Sequence, residues 1–217
     1  MNNRINNILF DLDGTLTNSK EGIINSILYA LEKLNIKEDH ENELETFIGP
    51  PLRDSFKIRY NLSGKLSDKA VAFYREYFST KGLIENELYF GMRELIESLS
   101  TQKYQLFVAT SKPTVYAVQI LQHFNLDKYF VEIIGSNLDN THTDKTEIIS
   151  NVISKYSLKK ENSVMIGDRK HDIIGAKNNS LKSIGVTYGF GSLEELSSHQ
   201  PDFIANDCSE LKSIIMN

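Results

Sequence analysis

The chain has 217 residues, a formal net charge of −5, 40% hydrophobic and 10% aromatic residues, and a single cysteine. That length suits one large domain or a core with a smaller insert, and the composition is that of a folded globular protein. There is no basic block and no apolar run near the ~18 residues a bilayer span needs, so no nucleic-acid polymer and no membrane is expected as a partner, and the lone Cys208 leaves no internal disulfide.

The first residues, Met1-Asn2-Asn3-Arg4, lack the apolar segment of a secretory signal, so a cytoplasmic protein is expected. Ile8-Leu9-Phe10, after the polar Asn6-Asn7, reads as a buried strand that ends abruptly in Asp11-Leu12-Asp13-Gly14-Thr15. Ligands in open α/β sheets bind just beyond the carboxyl ends of strands. Two acids placed there can hold a divalent cation and do covalent or acid/base chemistry. An Asp-Gly turn is the alternative reading of the same residues.

Residues 20 to about 84 carry helical periodicity and no strand. Ile23, Ile24, Ile27, Leu28, Leu31 and Leu34 recur at offsets of three and four and make one apolar face. A second helix is expected over Leu52 to Tyr60 with Pro51 in its first turn, and a third from Ser67 or Asp68 to Phe78, closed by Gly82. From about residue 88, β-rich runs at 105–109, 131–134, 163–166, 183–186 and 202–205 alternate with helical patterns near 91–102, 113–124, 144–157 and 170–179. Such alternation predicts an α/β fold: a Rossmann-like parallel sheet with helices on both faces, plus a small all-helical insert.

Several of these strands end in chemically able residues. Thr110-Ser111-Lys112-Pro113 offers hydroxyls and backbone N–H groups at a helix start, a cradle for phosphate oxygens or a plain N-cap, with Pro113 in the first turn. Lys145 opens a helix after the strand at 131–134 and can balance a nucleophile's charge and hold a phosphate. Asp168 and Asp172, four apart after the strand at 163–166, can complete a Mg²⁺ shell, or cap a helix. His171 beside them is not expected to be a ligand, because Mg²⁺ prefers hard oxygens.

Together these residues resemble the haloacid dehalogenase superfamily, in its phosphatase branch. Asp11-Leu12-Asp13-Gly14-Thr15 matches the first family motif, Thr110 with Ser111 the second, Lys145 the third, and Gly167-Asp168 with Asp172 the fourth. Many relatives follow the lysine with proline, where this chain has Thr146. Phe47-Ile48-Gly49-Pro50-Pro51-Leu52, Tyr188-Gly189-Phe190-Gly191 and Pro201-Asp202-Phe203-Ile204 look like the phosphoglycolate-phosphatase-like group.

The resemblance implies a discontinuous core over 1–16 and 88–217 and a helical cap over 17–87. It implies a Mg²⁺-dependent phosphomonoesterase acting on a small phosphorylated metabolite, phosphoglycolate-phosphatase-like. The alternatives are a 5′-nucleotidase and, behind it, a sugar-phosphate phosphatase or phosphomutase. By the same resemblance Asp11 is the nucleophile and Asp13 the acid/base. Mg²⁺ is held by Asp11, the Asp13 carbonyl and Asp168, with Asp172 orienting the shell. Thr110, the Ser111 backbone and Lys145 bind the phosphoryl group, and Gly14 lets the backbone approach it. In the cap, Arg53 and then Lys20 are the candidates for meeting a substrate anion. The expected assembly is a monomer or weak homodimer.

Overall fold

The four residues of β1 (Asn7–Phe10) are all buried, as a strand covered on both faces requires. The structure, a computed structural model, describes residues 5–139 and 141–216, so the reading of Met1-Asn2-Asn3-Arg4 lies outside the described residues. β1 is flanked by β4 (Gln105–Pro113) and β6 (Ser163–Gly167), and the sheet continues through β5 (Glu132–Ser136), β7 (Lys182–Val186) and β8 (Phe203–Ala205). The strand order is β5-β4-β1-β6-β7-β8, and every neighbouring pair is parallel. After β5 the chain crosses back over β4 and β1 to build β6, so the winding direction reverses beside β1. That reversal opens a crevice at the carboxyl ends of β1, β4 and β6.

The register sets Leu9 beside Phe107 on one side and Met165 on the other. These three form one core with Ile148, Ile149 and Val152 of α6 (Lys145–Tyr156) and Ala176 of α7 (Lys170–Asn178). Ile8 and Phe10, one residue out of phase, face the opposite side, and Phe10 meets Phe130 edge-on at 6.4 Å. The remaining helices of this unit are α4 (Met92–Thr101), α5 (Thr114–His123), α8 (Leu193–Ser198) and α9 (Cys208–Met216). The last two fall where no helix was expected. α8 is a short helix capped by Ser192, whose side chain accepts from Glu195 N.

The chain divides into two compact units, Met1–Asn18 with Leu88–Asn217, and Ser19–Glu87. The crossings fall at two short strands, β2 (Thr17–Asn18) and β3 (Glu87–Leu88). Within the second unit lie α1 (Lys20–Lys33), a 3₁₀ segment over Glu41–Phe47, α2 (Leu52–Tyr60) and α3 (Lys65–Tyr77). Its core holds Ile27, Leu31, Leu44, Phe47 and Phe56, with Phe47 and Phe56 packed edge-on at 5.2 Å. Among the described residues, no helix of either unit is long and apolar enough to cross a membrane.

Three local expectations are corrected. Pro51 and Pro113 precede their helices instead of entering the first turn, because ψ of 128° and 131° keeps each in extended backbone. The strand before Pro113 is correspondingly longer than expected, running through Thr110-Ser111-Lys112-Pro113. Gly82 does not end α3 as a left-handed cap: the helix widens into a π turn over Phe78–Gly82. There α1 passes so closely that a Cβ on Gly22 would lie 2.1 Å from the Gly82 carbonyl oxygen. Backbone contact, not termination, demands glycine at these positions.

Candidate active site

The backbone leaving β1 turns at once. Asp11 N donates to Ile166 O at 2.9 Å, and Leu12 O then collects the N–H groups of Thr15, Leu16 and Thr17. Gly14 sits at φ +81°, and a Cβ there would lie 2.2 Å from Asp168 Oδ2. Glycine is therefore required both by the turn and by the closeness of that carboxylate. The segment is thus a turn that sets Asp11 and Asp13 at the carboxyl end of β1.

Lys145 occupies the first position of α6, whose N-cap Asp144 accepts from Glu147 N at 3.1 Å. Its side chain is 4% exposed. Nζ lies 2.9 Å from Asp11 Oδ1 and 2.8 Å from Asp172 Oδ1, and donates to Ala109 O at 3.0 Å. Burial alone would lower the pKa of this ammonium, but Asp11 and Asp172 outweigh it and hold the group firmly protonated.

Asp168 follows β6 and is fully buried. Its Oδ2 accepts from Phe190 N at 2.8 Å and Gly191 N at 3.3 Å, and Oδ1 accepts from Thr15 Oγ1 at 3.4 Å. Burial, with Asp172 and then Asp11 nearby, pushes its pKa up to about 8. Asp172 stands in the first turn of α7, where its Oδ2 accepts from Arg169 N at 3.1 Å. Burial raises its carboxyl to about 6 despite Lys145.

Oxygens of Asp11, Asp168 and Asp172 all lie within 4.8 Å of one another. Three buried carboxylates against one lysine leave an excess of negative charge, and an all-oxygen donor set suits a hard divalent cation. The residues fit such an ion. The raised pKa values of Asp168 and Asp172 follow from burial of like charges close together. The Asp13 carboxylate is not in this group: its Oδ2 pairs with Lys112 Nζ at 2.8 Å.

Thr110, in the second half of β4, is 2% exposed, and its Oγ1 accepts from Lys112 N at 3.3 Å. The Ser111 hydroxyl donates to Thr143 O at 3.1 Å, so it is tied to the loop before α6. Because β4 continues to Pro113, these residues present a strand end, not the helix start expected. His171 is an exposed residue of the first turn of α7, its pKa lowered chiefly by desolvation and then by Arg169 and Lys170, and it stands outside the acid group. Arg53 and Lys20 lie in the helical unit, where they are paired with Asp68 and Glu45.

Two parts of the site are not legible in the sequence. One is Lys112, whose partner Asp13 follows another strand. The other is Tyr188-Gly189-Phe190-Gly191, which wraps Asp168: a Cβ on Gly189 would lie 2.4 Å from Asp168 Cβ, and one on Gly191 1.8 Å from Asp168 O. Two glycines spaced by one residue just after a buried strand were the signal available. Tyr188 adds a hydroxyl donated to Thr15 O at 3.2 Å and a ring packed on Tyr89 at 4.7 Å.

A family model described as haloacid dehalogenase-like hydrolase matches residues 8–186. A 5′-nucleotidase of Pseudomonas aeruginosa is 46% identical over 98% of this chain and 96% of its own length. A phosphoglycolate phosphatase of Vibrio parahaemolyticus is 29% identical over 96% of this chain and 95% of its own. The crystal structure of a predicted phosphatase from Clostridium acetobutylicum superposes with a TM-score of 0.92 at 46% identity, covering 98% of each chain.

Proposed function

Because this chain belongs to the haloacid dehalogenase-like hydrolase family and is a phosphatase, we propose that it is a Mg²⁺-dependent phosphomonoesterase working through an aspartyl-phosphate on Asp11. The observation that carries this reading is the buried Asp11–Lys145–Asp172 chain beside Asp168 at the strand ends. Asp11 is the nucleophile: its carboxylate bonds to phosphorus as the ester P–O bond breaks, dividing one hard displacement into two. Asp13 gives a proton to the departing ester oxygen, then takes one from the water that cleaves the intermediate. Lys145 and Thr110 face the phosphoryl oxygens with a positive charge and a hydroxyl, as electrostatic stabilisation of the transfer demands.

Asp11 and Asp168 would hold Mg²⁺. Asp172, with Lys145 on one oxygen and Arg169 N on the other, would orient that shell from behind. When bound, the ion offsets the negative charge that the carboxylates and the phosphoryl group bring together. The helical unit, Ser19–Glu87, is proposed as the cap that reads the leaving group, with Arg53 as a candidate anion contact.

For substrate, the 46% identity along the P. aeruginosa 5′-nucleotidase supports a nucleoside monophosphate first. The V. parahaemolyticus relative keeps phosphoglycolate as the second reading. A kcat/KM panel of nucleoside 5′-monophosphates, phosphoglycolate and sugar phosphates tests this choice. A preference of about tenfold or more for the nucleotides is expected. The reverse preference would favour phosphoglycolate, and equal efficiencies would mark a broad phosphatase.

A further inference from the structure

The two oxygens of the Asp13 carboxyl are held in different ways. Oδ2 lies 2.8 Å from Lys112 Nζ, in a pair whose side chains are 6% exposed for Lys112 and 17% for Asp13. Oδ1 is buried and has no hydrogen-bond partner among the described residues. A buried acceptor left unpaired is unfavourable, and this one, on a carboxyl at the end of β1, is the oxygen open to a partner from outside the protein. Lys112 reaches Oδ2 from an irregular stretch of β4, whose register against β5 shifts between Ala109 and Pro113. Irregularities of this kind re-aim side chains next to active sites.

We propose that Lys112 is a positioning residue for the proton step: it anchors Oδ2 of Asp13 so that Oδ1 alone exchanges the proton. An ammonium has only N–H groups to offer, so Oδ2 acts as acceptor and Oδ1 is the oxygen left to exchange a proton. As Asp11 bonds to phosphorus, the ester P–O bond breaks, and its electron pair stays on the ester oxygen. That oxygen takes the proton of Asp13 Oδ1 and leaves as an alcohol. Water oxygen then bonds to phosphorus while a water proton passes to Asp13 Oδ1, and the Asp11–phosphorus bond breaks with its pair returning to the carboxylate. Inorganic phosphate leaves, and Asp13 is an acid again. The role assigned to Lys112 rests on the proton-shuttle reading of Asp13 above.

The test compares Lys112→Met, Lys112→Gln and Lys112→Arg with Asp13→Asn and the unchanged protein, with Mg²⁺ supplied and folding checked by thermal unfolding. Two substrates are used: an alkyl phosphate, whose leaving group needs a proton, and para-nitrophenyl phosphate, whose leaving group does not. Lys112→Met, or Lys112→Gln should the former not fold, is expected to lose about a hundredfold in kcat on the alkyl ester at little-changed KM. It should still release a burst of nitrophenolate and accumulate phosphoenzyme, and Lys112→Arg should recover most of the loss. Equal losses in the first step for both esters, a raised KM at unchanged kcat, or undiminished rates would each overturn the proposal. If Asp13→Asn keeps full turnover, the shuttle reading itself fails. If Asp13→Asn is inactive while the neutral Lys112 variants are not, the positioning role alone falls.

Discussion

In the α/β unit Lys145 stands 4% exposed between Asp11 and Asp172, whereas in the helical unit Lys20 meets Glu45 and Arg53 meets Asp68 with every side chain at least 45% exposed. The helical unit does contain one well-shielded acid, Glu38, but Arg59 and Tyr60 answer it and hold its carboxyl down to about 2. Asp168 and Asp172 move the other way, up to about 8 and about 6. The direction of the shift separates the two cases. A buried acid matched by a cation is a strut, whereas buried acids that outnumber their cation form a group suited to a further positive charge.

The sharpest way to break this contrast is to replace Asp11. Asp11→Asn should lower hydrolysis of a generic aryl phosphate by more than about a thousandfold, since groups acting as one unit fail together. Circular dichroism should find its fold unchanged, and retention of most activity would sink the assignment. Lys145→Met comes next. Removing the single cation leaves its buried partners uncompensated, a loss of about 3–5 kcal/mol in comparable pairs. Denaturant titration should find the variant clearly less stable, and an unchanged midpoint would show that Asp11 and Asp172 do not depend on Lys145.

How much of this was legible beforehand depended on distance along the chain. Asp11 and Asp13 were readable because a buried strand followed by acids is a local pattern. The placement of Lys145 and Asp168 beside them is readable only through strand alternation, which carries the segments after β5 and β6 to the end of β1. The Lys112–Asp13 pair was not readable. It depends on β4 continuing past Thr110, and four polar or proline residues in a row argue locally for a helix start. The glycines that wrap Asp168 and the Gly22–Gly82 contact were hidden for a related reason: a glycine's need is set by what comes near it, and its neighbour belongs to another element. In the helical unit, the apolar periodicity of α1 is plain, whereas the 3₁₀ segment over Glu41–Phe47 has too short a period to show.

A subtler check uses pH on the metal-free protein. The folded pKa of Asp168 lies above the ordinary carboxylate value of about 4, and that of Asp172 does too. The folded state therefore binds protons more tightly, and this contribution is full below about pH 4 and fades as pH rises through about 6 and then about 8. Thermal unfolding after chelation should give a Tm that falls between those two values, and added Mg²⁺ should raise Tm and flatten the slope. A Tm that rises with pH over that window, or that ignores Mg²⁺, would contradict the excess-charge reading. The smallest effect belongs to the helical unit: Arg53→Ala should change stability by less than about 1 kcal/mol, as exposed pairs do. Its kcat on an aryl phosphate should stay unchanged, and a fall in that kcat would carry the chemistry outside the α/β unit.

The claim that Asp11 becomes phosphorylated can be tested on the intermediate itself. Asp13→Asn, given Mg²⁺ and para-nitrophenyl phosphate, should stall after the first transfer. Quenching in acid, digestion and mass spectrometry should then find one phosphoryl group, on the peptide containing Asp11 and at that residue. A phosphoryl group on any other residue, or none while nitrophenolate is still released, would contradict the account.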